Sequence, residues 1–124
     1  MIPLTLRAYV LLLSFEKVIV EGDFQGLYQR VRARSIRPVP PNDETCRHAS
    51  EAIDRACVLY FKRVQCLQRS AATVCLLRQL GAPACLVIGA RHLPFQAHAW
   101  VEVEGHVIND KLSVTETYAV LDRC

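Results

Sequence analysis

From Leu67 to Leu80 the chain is apolar almost all the way round a helical wheel: Leu67, Ala71, Ala72, Val74, Cys75, Leu76, Leu77 and Leu80 leave no broad polar face. A helix of this kind is stable in water only when other elements surround it, so it belongs in the middle of the fold. Gly81 is suited to the left-handed position after its last turn, and Pro83 is a stop signal. Cys66 stands at its start, in Val64-Gln65-Cys66-Leu67-Gln68-Arg69-Ser70.

The flanking segments supply the surroundings. Ala84–Gly89 is a continuous apolar run of strand length, predicted to be buried on both faces. Arg91–Pro94 turns, Gln96–Val103 alternates as a second strand, Val107–Asn109 begins a third, and Val114–Leu121 adds a fourth element. Upstream, Asn42-Asp43-Glu44 opens a helix, and Cys46, Ala49, Ile53, Ala56, Cys57, Tyr60 and Val64 follow at three- and four-residue steps, with His48 on or near the polar side. Helices first and an antiparallel meander afterwards is an α+β order.

Residues 1–41 have a different character. Pro3 suits a first helical turn, and Leu4, Leu11 and Val18 with Tyr9, Leu12, Leu13 and Ile19 form an apolar face wider than a lone surface helix needs. Either the same domain or a partner must cover it. A partner-docking role for this face is the expectation, to be probed at Leu4, Leu11 and Val18. Asp23 caps a short second helix carrying Phe24, Leu27, Tyr28 and Val31, and Arg30, Arg32, Arg34 and Arg37 lead into Pro38-Val39-Pro40-Pro41. The division is therefore a helical segment and basic Pro-rich linker over 1–41 and a core over 42–124.

Charge and cysteine usage exclude several classes. Residues 1–41 hold six Lys/Arg against three Asp/Glu, whereas 42–124 hold nine of each, so the basic surplus lies in front of the core. No aromatic interleaving or recognition motif accompanies it, which argues against nucleic acid. Six cysteines at spacings of 11, 9, 9, 10 and 39 contain no C-x-x-C pair, so no metal site or cofactor is expected and a reduced cytoplasmic setting fits. Arg7, Glu16 and Lys17 interrupt the first apolar run far short of the ~20 residues that span a bilayer.

Chemistry concentrates at Cys66, His98 and Asp110. A thiol attacks as thiolate, which a helix N-terminus and a neighbouring imidazolium both favour. Cys66 has the helix start, whereas Cys75 lies in mid-helix and Cys85 in a buried strand. If Val103-Glu104-Gly105 is a three-residue loop, Glu102 faces His106, and His98 lies opposite Asp110 on one face of the sheet. If the loop is only Glu104-Gly105, His98 faces Lys111 and alternation turns Asp110 away. In the first register Asp110 fixes the imidazole tautomer while the other ring nitrogen addresses Cys66. Trp100 shares the face of His98 by parity, as a wall of the site or as ordinary core. Arg69 and Ser70 position the nucleophile's loop, contact substrate, or serve as capping and surface residues. The Cys66 backbone N–H is one oxyanion donor, and Gln65 is a candidate for the second.

Cys66-Leu67-Gln68-Arg69-Ser70, Gly81-Ala82-Pro83-Ala84, Leu86-Val87-Ile88-Gly89-Ala90-Arg91, Pro94-Phe95, Ala97-His98-Ala99-Trp100-Val101-Glu102 and Val107-Ile108-Asn109-Asp110 closely resemble the lasso peptide biosynthesis B2 proteins. These are transglutaminase-like cysteine proteases that remove the leader from a ribosomally made precursor. The resemblance covers about residues 60–112. It implies a papain/transglutaminase-like fold, a central nucleophile helix packed on a small antiparallel sheet, and a triad at Cys66, His98 and Asp110. Many relatives carry a leader-recognition domain in front. With 41 residues before the core, this chain resembles the split form, which works with a separate B1-type recognition protein and a macrolactam cyclase. Two alternatives are amide transfer to another acceptor and a non-catalytic peptide-binding scaffold.

Overall fold

The computed structural model describes residues 3–32, 43–91, 95–108 and 114–124. Four helices come first: α1 (Leu4–Glu21), α2 (Phe24–Arg32), α3 (Asp43–Leu59) and α4 (Cys66–Gln79). Strands β1 (Ala84–Arg91), β2 (Gln96–Val103) and β3 (His106–Ile108) follow, then the one-turn helix α5 (Val114–Thr117) and β4 (Ala119–Arg123). The chain is thus α+β, with the helices ahead of a four-stranded antiparallel sheet.

The all-round apolar segment takes the central place its composition demands. Every residue of α4 from Ser70 to Arg78 is buried, between α1 and α3 on one side and β1 and β2 on the other. Its end is a Schellman turn: Ala82 N–H donates to the Leu77 carbonyl, Gly81 N–H donates to that of Arg78, and Gly81 sits at φ 94°. Buried Arg78 donates to the carbonyls of Val31 and Ala84, so one guanidinium ties the end of α2 to the start of β1.

The wide apolar face of α1 is covered from within. Ala8, Leu11, Leu12, Phe15 and Ile19 are buried, with α3 and α4 packed over them, and Leu4 and Val18 lie partly buried against the same core. The expectation that Leu4, Leu11 and Val18 form a docking face is therefore corrected: Leu11 is 5% exposed and belongs to the interior. The apolar residues that α1 exposes are Leu6, Val10, Leu13 and Val20.

One polar network crosses this helix pair. Gln68 Nε2 donates to the Leu12 carbonyl at 2.9 Å and to Glu16 Oε1 at 3.1 Å, the Tyr60 hydroxyl donates to Glu16 Oε1, and Lys62 Nζ donates to Glu16 Oε2. The Lys62 ammonium holds the Glu16 carboxyl below its ordinary pKa against the opposing effect of burial, and burial pushes the Tyr60 phenol up. The connection between α3 and α4 is pinned to α1 just before Cys66.

The basic residues of α2 find partners within the chain. Arg30 donates to the Ser14 carbonyl and lies 4.6 Å from the Phe15 ring centroid, while Arg32 pairs with Asp122 and covers the Tyr28 ring. Arg34, Arg37 and the Pro-rich linker lie outside the described residues.

Strand order in the sheet is β3-β2-β1-β4. The first three strands form the expected meander, but the chain then returns across α5 and adds β4 beside β1, at the opposite edge. Alternation divides the sheet cleanly. Ala84, Leu86, Ile88, Ala99, Val101 and Val103 face the helices, whereas Val87, Trp100 and Val114 build a second small cluster on the other face, with Val107 and Tyr118 against it.

Gly89 is required by that second cluster. A methyl group there would come within 2.6 Å of Trp100 Cη2 and 2.9 Å of Tyr118 Cβ. Gly89→Ala is expected to cost about 1–3 kcal/mol through overpacking. A lower urea midpoint at unchanged m, with a shift in the emission of the chain's one tryptophan, checks this.

Candidate active site

Cys66 is the first residue of α4 and, of the six cysteines, the exposed one. Cys46 and Cys75 are buried, and burial pushes the thiols of Cys57, Cys85 and Cys124 up, the last to about 11. Gln65 is the N-cap residue in extended conformation (φ −79°, ψ 154°) and makes no side-chain capping bond; its carbonyl accepts the first helical bond, from Arg69 N–H. No acid stands in the first turn. The first N–H groups of α4 have no partner within the helix, and together with the helix dipole they suit a negative charge developing beside Cys66.

His98 lies near the start of β2, paired across the sheet with Gly89. Its ring stacks on Trp100, centroids 6.0 Å apart and planes 26° apart, and meets Tyr118 at 5.2 Å. Trp100 is buried, and its Nε1 donates to Glu102 Oε2 at 3.0 Å, with Arg123 Nε on the other carboxylate oxygen. The face sharing read from parity is therefore physical contact. Tyr118, which the sequence did not single out, completes an aromatic floor under the imidazole.

By alternation His98 belongs to the face with Trp100, while Ala99 faces α4. Cys66 and His98 nonetheless border the same space. The described β2–β3 ladder covers only Val101–Val103 with His106–Ile108. Beyond it the Ala99 carbonyl accepts a hydrogen bond from Ser70 Oγ at 3.1 Å. Two cavities include both Cys66 and His98 in their walls. A small one, about 50 Å³, is bordered also by Arg69, Ser70 and Thr73; a larger one, about 350 Å³, by Gln65, Leu67 and Tyr28.

The supporting residues fall as follows. Arg69 pairs with Asp54 of α3, and Ser70 fastens α4 to β2; both also reach the small cavity. Gln65 borders the large cavity. Among the described residues no group of three His, Cys, Asp or Glu side chains is placed to hold a metal ion, and no helix is long and apolar enough to cross a membrane.

The hairpin departs from the expected register. Glu104 and Gly105 both have positive φ, 50° and 83°, the signature of a two-residue type I′ turn. Val103 therefore pairs with His106, Glu102 with Val107 and Val101 with Ile108. The pairing of Glu102 with His106, from which the His98–Asp110 juxtaposition was deduced, does not occur. Asp110 itself lies outside the described residues.

The transglutaminase-like superfamily model matches residues 9–123. The microcin J25-processing protein McjB of Escherichia coli is 43% identical over 56 residues, which make up 45% of this chain and 27% of McjB. The chain thus matches about a quarter of the length of that curated relative. No solved structure matches it.

Proposed function

The chain belongs to the transglutaminase-like superfamily, and on that premise we propose that it is a cysteine peptidase that removes the leader from a ribosomally made lasso precursor peptide. The observation that carries this is the placing of the one exposed thiol, at a helix N-terminus without a side-chain cap, on the same cavities as His98. Partial identity to a protein named for processing microcin J25 supports the substrate class.

In the proposed reaction, His98 takes the proton from Cys66 Sγ and the thiolate attacks the carbonyl carbon of the scissile amide. The oxyanion is held by the Cys66 backbone N–H with the Gln65 carboxamide as second donor. His98 then gives its proton to the leaving amine, and water, deprotonated by His98, hydrolyses the thioester. Asp110 orients the imidazole. Trp100 and Tyr118 shield it from water on one side. A separate B1-type protein delivers the leader, and a cyclase closes the macrolactam on the freed amine. The setting is the cytoplasm, where six thiols stay reduced.

The test is incubation of the full chain with precursor, with and without the recognition protein, followed by mass spectrometry. Leader release that depends on the recognition protein is the expected result. Equal release without it would overturn the split arrangement, and no release in either case would overturn the peptidase assignment. A primary-amine adduct in place of the free acid would point to amide transfer.

A further inference from the structure

The larger of the two cavities at Cys66 has no part in the proton transfers just described. It occupies about 350 Å³ between α2, the first turn of α4 and the helix-facing side of the sheet. Tyr28, Leu67, Ile88, Ala97 and Ala99 give it apolar walls, and among the described residues no Asp, Glu, Lys or Arg borders it. The small cavity on the other side is different in kind, edged by Arg69, Ser70 and Thr73.

The large cavity exists because β2 carries alanine where longer apolar side chains would close it. Ala97 and Ala99 stand on the helix-facing side, paired with Ala90 and Ile88. Elsewhere that face is filled to the close packing normal for an interior, by Leu86, Val101 and Val103. At its far wall Arg32 lies over the Tyr28 ring, 5.8 Å from the centroid, and pairs with Asp122 at 3.1 Å. An apolar hollow of this size, at the lower end of the ~300–1,000 Å³ usual for ligand pockets, is suited to an apolar group and disfavours a charged one.

We infer that this cavity is the subsite for an apolar side chain of the substrate's acyl half, within two residues of the scissile bond, with Ala97 and Tyr28 setting the size accepted. The choice of the acyl half rests on the peptidase reading, in which that half stays bonded to Cys66 through the second step while the amine departs. A held side chain then keeps the thioester in place for water.

The test uses tetrapeptidyl chloromethyl ketones that differ only at the first or second residue before the ketone, carrying Gly, Asp, Leu or Phe. The readout is the rate of Cys66 alkylation, by peptide mapping, divided by the same variant's rate with iodoacetamide. At one of the two positions Leu or Phe is expected to exceed Asp by roughly 10-fold or more, the scale of burying one such side chain. Ala97→Val and then Ala97→Leu, at an exposed position, should erode that preference stepwise, Phe before Leu. Equal rates for all four side chains, or a preference that both Ala97 variants leave intact, would overturn the subsite. Alkylation does not require hydrolysis. A preserved preference in a protein that releases no leader therefore sinks the peptidase proposal alone, and leader release without any preference sinks the subsite alone.

Discussion

Cys66→Ala is expected to abolish leader release, by at least ~10³-fold, while unfolding stays within about 0.5 kcal/mol of the parent protein. The two halves of this expectation have separate causes. On the peptidase proposal, removing the nucleophile leaves only substrate binding and the oxyanion donors, which do not form the acyl-enzyme. Removing an exposed thiol at the first position of α4 takes away little packing and no hydrogen bond that holds the helix. The control is Cys75→Ala, a fully buried side chain in the same helix. It should lower stability through the cavity it opens and leave a folded, active enzyme at low temperature. Leader release by mass spectrometry and urea midpoints on both variants make the comparison. Cleavage undiminished in Cys66→Ala would remove Cys66 from the chemistry.

The residues themselves show why part of this site could be read in advance and part could not. Helix α4 is legible because an all-round apolar segment has one stable location, and Cys66 because a chain position at a helix start is a local property. The apolar run of β1 and the alternation of β2 are local as well. Contacts made across long sequence separations are not. Gln68 reads as a polar residue of an otherwise apolar helix, yet it is 1% exposed and its amide is spent on Leu12 and Glu16 of α1. Tyr118, Gly89 and Tyr28 matter only through the elements they meet, and β4 joins the far edge of the sheet for reasons no local pattern states. The hairpin is a sharper case. A type I′ turn needs positive φ at both central residues, which Asn-Gly supplies and Glu-Gly supplies at one position only. Setting Glu104 at φ 50° costs roughly 1–2 kcal/mol. The chain accepts that cost with Val101 and Val103 buried against the helices and paired to Leu86 and Ala84.

That turn makes Asp110→Asn the most informative substitution after Cys66→Ala. In the observed register an unbroken ladder would set His98 opposite Lys111, and Asp110 would share the face of Ala99. For Asp110 to orient His98, the pairing must shift by one residue after Ile108, as a β-bulge does. On the triad proposal Asp110→Asn keeps the shape and removes the charge that sets the imidazole tautomer and stabilises the imidazolium. Leader release should then fall by roughly 10³–10⁴-fold, with the urea midpoint unchanged and iodoacetamide labelling of Cys66 slowed near neutral pH. A fall in leader release matched by a fall in stability would instead give Asp110 a structural role. Full activity in Asp110→Asn would leave Cys66 and His98 as a dyad, with the imidazole held by its stacking on Trp100 and Tyr118.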